Sequence, residues 1–144
     1  MPTIHDSDAL AGLLARIRAV RPDSPATFGT LDAPRMICHL EDQVRVALGR
    51  TESRMRKSIW GRAPLRWLAL HLPVPKAKLQ TVREMTETRP GDWEADRARL
   101  MERLEELAMA EETAPHPVFG PIGTDGWARV TWKHFDHHLR QFGA

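Results

Sequence analysis

Seven histidines occur in the 144 residues, and three of them crowd the stretch Trp132-Lys133-His134-Phe135-Asp136-His137-His138-Leu139-Arg140-Gln141. Residues four apart on a helix share one face, with Cβ atoms roughly 5–6 Å apart. His134 and His138 can therefore aim two imidazoles at one point, and an H-x-x-x-H pair is a common way for a helix to present two metal ligands. The competing reading is two ordinary rim or core histidines, each hydrogen-bonded to a carboxylate or a backbone carbonyl. Angle helps to choose between faces. At about 100° per residue, Trp127, Val130, Phe135 and Phe142 define the apolar sector. His138 falls near its middle, His134 inside it and His137 at its rim.

A third ligand must come from another element. His39 lies beside the apolar stripe of Met36, Ile37, Leu40 and Val44 and is the best candidate. His71 sits in a segment that is hard to read, His116 in a proline-rich loop and His5 close to the start. Three imidazoles supply neutral nitrogen donors, which suit zinc, nickel, copper or iron. Three protein ligands also leave positions open for water or substrate, the pattern of catalytic rather than structural zinc. Asp42, one turn after His39, and Asp136 can be read as orienting groups or bases, or as solvated charges on helix faces, and the solvated reading is preferred. Cys38 adjoins His39 in sequence but points about 100° away on a helix. It reads as a packing residue, not a nucleophile. Trp60 and Trp67 are candidates for a pocket wall or for plain packing.

The elements that must hold these residues are helical. The spacing of Leu10, Leu13, Leu14, Ile17 and Val20 predicts a helix over 6–20, capped by Asp6 or Ser7. Asp32 and Pro34 open a second helix over 32–48, and Gly49 ends it. Asp92 starts a third over 92–110, with Trp93, Leu100, Leu104 and Leu107 inward. Thr124 caps a fourth over 124–142. Between the second and third, residues 50–90 are the least readable part. Pro64 to Leu72 forms a short extra helix there, with Pro73 as its stop. Its Trp67, Leu68, Leu70 and Leu72 are expected to pack on the bundle near the mouth of the metal site, with basic residues Arg54 to Arg62 left at the surface. Long amphipathic helices without alternating strand patterns predict an all-α bundle in a single domain, 1–144.

Composition narrows the functional classes. The 21 Lys plus Arg nearly balance the 19 Asp plus Glu, and they are interleaved, so no nucleic-acid face is expected. No run of about 18 apolar residues occurs, so no membrane partner is expected. No signal peptide is visible. The single cysteine allows neither an internal disulfide nor a cysteine-based zinc site, which fits a reducing, cytoplasmic setting.

Three stretches carry a family resemblance: Met36-Ile37-Cys38-His39-Leu40, the loop Pro117-Val118-Phe119-Gly120, and Trp132 to Phe142. Together, from about Leu31 to Phe142, the chain resembles a DinB-related family of unknown function within the DinB-like metalloenzyme superfamily. The resemblance implies an up-and-down bundle of four helices with one metal ligand on the second and an H-x-x-x-H pair on the last. Those positions match His39, His134 and His138. Relatives often follow the pair with Arg-Gly-Gln. Here Leu139-Arg140-Gln141 keeps the glutamine in place and shifts the arginine. Better-understood members use low-molecular-weight thiols in isomerase or S-transferase reactions. The resemblance thus implies a divalent transition metal (zinc, nickel or iron) and a small-molecule substrate, with a thiol as cosubstrate. Metal-dependent hydrolysis is the alternative enzymatic reading. The non-enzymatic one is a metal-binding or dimerising bundle, for which a homodimer is the expected assembly.

Overall fold

The computed structural model describes residues 1–55, 58–72 and 85–144. Among the described residues there are five α-helices and one 3₁₀ turn, and no strand. The helices are α1 (Ser7–Ala19), α2 (Ala33–Ala47), α3 (Ala63–His71), α4 (Trp93–Ala108) and α5 (Gly123–Gln141), with the 3₁₀ turn at Ile59–Gly61. No helix among them is long and apolar enough to cross a membrane.

The chain sets its helix starts with acidic caps. Asp6 accepts from the backbone N–H groups of Asp8 and Ala9, Asp32 from that of Arg35, and Asp92 from that of Ala95. Each carboxylate satisfies donors that a helix start leaves free and offsets the positive end of the macrodipole. α2 ends in a Schellman motif, in which Arg50 N–H bonds to the Arg45 carbonyl and Gly49 N–H to the Val46 carbonyl. Gly49 takes φ +72 there, a left-handed conformation that costs glycine little. The expected Thr124 cap is not used. Gly123, at φ +65, already turns the chain into α5, so Thr124 falls inside the first turn and no side chain caps that end.

α2 is the central element and packs on both α4 and α5, while α1 also packs on α4 and α5. Met36, Ile37, Leu40 and Val44 of α2 are fully buried with Leu100 and Leu104 of α4 and Trp127, Phe135 and Leu139 of α5. Each such side chain contributes about 1.5–3 kcal/mol relative to exposure. The loop before α5 is closed by a backbone pair between His116 and Gly120, and it is tied to the core where Trp127 Nε1 donates to the Ala114 carbonyl at 2.6 Å.

α3 departs from expectation. Pro64 stands in its first turn as anticipated, but Trp67 (57% exposed), Leu68 and Leu72 face outward, and only Leu70 of the four is half-buried. The helix is rich in apolar residues and packs on the 3₁₀ turn and on α5. There Lys133 Nζ donates to the Ala69 and Leu72 carbonyls, filling the acceptors that the helix end leaves open. Trp67 stacks instead on His71, with ring centroids 4.7 Å apart. Arg54 and Arg62 are exposed as expected. Arg56, Lys57 and the Pro73 stop lie outside the described residues.

Candidate metal centre

α2 contributes His39, and α5 contributes His134 and His138 one turn apart. The structure brings the three together. One ring nitrogen from each lies within 4.8 Å of the others, and the three ring centroids are 4.7–4.8 Å apart in pairs. A tetrahedral zinc with Zn–N bonds of 2.0–2.1 Å separates its nitrogens by about 3.3 Å, so small side-chain shifts bring this set to bonding distance.

Each ring has an oxygen beside its Nδ1. The His39 Nδ1–H donates to the Met85 carbonyl at 2.6 Å. His138 Nδ1 lies 3.0 Å from Gln141 Oε1, and His134 Nδ1 lies 3.5 Å from Gln43 Oε1. A proton held on Nδ1 leaves the lone pair on Nε2, the arrangement that fixes ligating histidines in metal sites. The amides are held in turn, since Gln43 Nε2 donates to Thr131 Oγ1 and Gln141 Nε2 to the Phe28 carbonyl.

Burial favours the neutral, ligating form of all three rings. Desolvation lowers His39, against the Met85 carbonyl and the Asp42 charge, which pull it up. Desolvation and then the neighbouring His39 and His138 push His134 well below the usual histidine range. Desolvation and then His39 lower His138 to about 4, opposed by its bond to Gln141. At pH 7 none of the three rings has to shed a net proton before a cation can bind.

The other expected residues are placed elsewhere. His137 is exposed and faces the Phe28 ring. His116 is buried, and its Nδ1 accepts from the Val118 and Phe119 N–H groups. His71 stacks on Trp67 and His5 lies 3.4 Å from Asp125. Asp42 and Asp136 are not the solvated charges expected from the sequence. Asp42 is buried and accepts from both the N–H and the hydroxyl of Thr88. Asp136 is shielded and paired with Arg16 and Arg140. Neither is hydrogen-bonded or ion-paired to one of the three histidines. Cys38 points to Asp96 on α4, its Sγ 3.9 Å from Oδ2. An open depression of about 320 Å³ between Met55, Arg66 and the loop at Phe119 is lined by none of the three histidines, and neither Trp60 nor Trp67 walls it.

Sequence reading missed Gln43 as a partner, although its i+4 spacing from His39 puts it on the same face of α2. Met85 has no such signal, because its carbonyl belongs to a distant irregular segment.

The arrangement defines a helical protein with a candidate three-histidine centre between α2 and α5. Residues 7–144 match the family described as "Protein of unknown function (DUF1569)", and the chain belongs to it. No curated protein and no solved structure matches the chain.

Proposed function

We propose that the chain is a DinB-like up-and-down bundle of α1, α2, α4 and α5, with α3 as the extra helix, and that it is a metal-dependent enzyme acting on a small molecule. His39, His134 and His138 would hold one divalent transition metal. The observation that carries this reading is the convergence of three neutral imidazoles, each with an oxygen waiting at Nδ1. When bound, such a metal supplies Lewis acidity that lowers the pKa of a coordinated water or thiol toward neutrality.

The chain's own residues favour thiol chemistry, as transferase or isomerase, over hydrolysis. The three ligands and their partners Met85, Gln43 and Gln141 carry no negative charge, so the site favours an anionic group from outside. Asp42 and Asp136, the carboxylates that the sequence offers as general bases, are committed to Thr88 and to two arginines. Cys38 faces α4 and is kept protonated by burial. The thiol would therefore be a low-molecular-weight cosubstrate, used in a reducing setting such as the cytoplasm. A purely structural metal would more often be closed by four protein ligands. Among the described residues only these three histidines form such a group.

The test is metal analysis of tag-free protein, then calorimetry with glutathione and 2-mercaptoethanol and a turnover screen with model electrophiles. One equivalent of metal with metal-dependent thiol binding is expected. Metal-loaded protein that ignores thiols and electrophiles but hydrolyses esters or amides would overturn the transferase reading in favour of the hydrolase.

A further inference from the structure

Gln141 joins two parts of the molecule that are far apart in sequence. Its Oε1 faces His138 Nδ1 at 3.0 Å, while its Nε2 donates to the Phe28 carbonyl at 2.6 Å. Its own backbone carbonyl accepts from both the N–H and the hydroxyl of Thr27, at 2.7 and 3.0 Å. Gln141 is 3% exposed. The next residue of the loop, Gly29, has φ +75, and a Cβ built there would lie 2.6 Å from Gln141 Nε2.

These contacts have one consistent set of hydrogen positions. A backbone carbonyl can only accept, so the Phe28 oxygen requires the NH₂ end of the Gln141 amide. That leaves Oε1 toward His138, and an oxygen there requires a proton on Nδ1. The lone pair of His138 is then confined to Nε2. Flipping the amide would set two oxygens against each other at Phe28 and would present an NH₂ to His138 Nδ1, selecting the opposite tautomer. The loop carbonyl thus determines the imidazole tautomer through a single amide.

We propose that Gln141 is a positioning residue through which the Thr27–Gly29 loop sets the tautomer of His138, and that Gly29 is required because any side chain there would dislodge the amide. The inference rests on the three-histidine reading of the site, but the tautomer itself can be read without metal.

The experiment compares wild type with Gln141→Met, Gln141→Glu and Gly29→Ala. Zinc affinity is measured by chelator competition, and the His138 tautomer by ¹⁵N–¹H correlation on metal-free protein. Wild type should show His138 as the Nδ1–H form. Gln141→Met and Gly29→Ala should lose that form and weaken zinc binding by about 10- to 100-fold. Gln141→Glu restores an acceptor at Nδ1 and should recover affinity, while the loop loses its bond to Phe28 and its amides exchange faster. A folded Gly29→Ala protein with wild-type tautomer and affinity would overturn the proposal. So would a Gln141→Glu variant as weak as Gln141→Met. Wild type that holds the Nδ1–H form yet binds no zinc supports the latch and overturns the metal reading alone.

Discussion

The Nε2 atoms of His39 and His134 lie 2.9 Å apart. The His39 proton is held on Nδ1 by the Met85 carbonyl, so His39 Nε2 faces its neighbour as a lone pair. Without a cation, His134 must carry its proton on Nε2 and donate it across this gap. With a cation at the centre, that proton belongs on Nδ1, where Gln43 Oε1 stands 3.5 Å away. The pair therefore has a satisfied arrangement in either state, and metal entry requires one tautomer change at His134.

Replacing His138 by alanine is expected to lower zinc affinity by more than the roughly 100-fold typical of losing an outer partner. Replacing His137 is expected to leave affinity nearly unchanged, since its ring is exposed and turned toward Phe28. Chelator competition on both variants checks this. Equal losses from the two would mean that the ligand face of α5 has been misassigned.

Asp42→Ala is expected to affect both stability and the metal site. The carboxylate is buried and takes two bonds from Thr88, three residues after Met85. Removing it leaves the Thr88 N–H without its partner, a cost of about 1–3 kcal/mol. It also frees the segment that presents the Met85 carbonyl to His39, so zinc affinity should fall by about tenfold. Urea unfolding of the metal-free protein and zinc competition measure the two effects separately. Unchanged affinity alongside lowered stability would show that Met85 is held by other contacts.

Much of this geometry was legible in local sequence because it depends on local rules. Asp6, Asp32 and Asp92 cap as their positions suggest, and the i,i+4 spacing of His134 and His138 puts both rings on the face that meets His39, with His137 left outside. Asp42 was misread because a charge one turn from His39 resembles a wet helix face. Only the return of the chain at Thr88 makes it a buried acceptor. α3 was misread for the opposite reason. Four large apolar residues suggest burial, but a nine-residue helix that meets only the short 3₁₀ turn and α5 leaves Trp67, Leu68 and Leu72 uncovered.

Acid should destabilise the fold in a window set partly by His116. Burial lowers its pKa from 6.5 to about 4, and two backbone N–H groups occupy its Nδ1. A base with a depressed folded pKa contributes its full stability above pH 6.5. It loses that contribution as pH falls toward 4, because the unfolded chain takes up the proton first. The loss amounts to about 3 kcal/mol by pH 4. His39, His134 and His138 act in the same direction, so wild type alone does not isolate it. His116→Asn keeps an acceptor near the Nδ1 position and removes the titration. Urea unfolding at pH 7 and pH 4.5 should show a distinctly smaller acid loss in that variant. The same loss in both proteins would assign the acid sensitivity to the other histidines.

Cys38 should prove inert, and any thiol chemistry should survive its removal. Its side chain is almost fully buried, and Sγ points toward Asp96 at 3.9 Å, away from the histidines. Asp96 is itself buried and is bridged with Glu41 by Arg99. Burial first, and then the negative charge of Asp96, Asp42 and Glu41, raises the thiol to about 12 against a lowering pull from Arg99. At pH 7 the thiolate fraction is then on the order of one part in 10⁵, too small for a nucleophile. The native protein should therefore resist iodoacetamide and react on unfolding, as mass spectrometry of the intact chain can follow. Cys38→Ala removes one small buried group and should retain its metal content and any turnover that depends on added thiol. Rapid alkylation of the folded protein, or loss of turnover in Cys38→Ala at unchanged metal content, would transfer the nucleophile's role from an external thiol to Cys38.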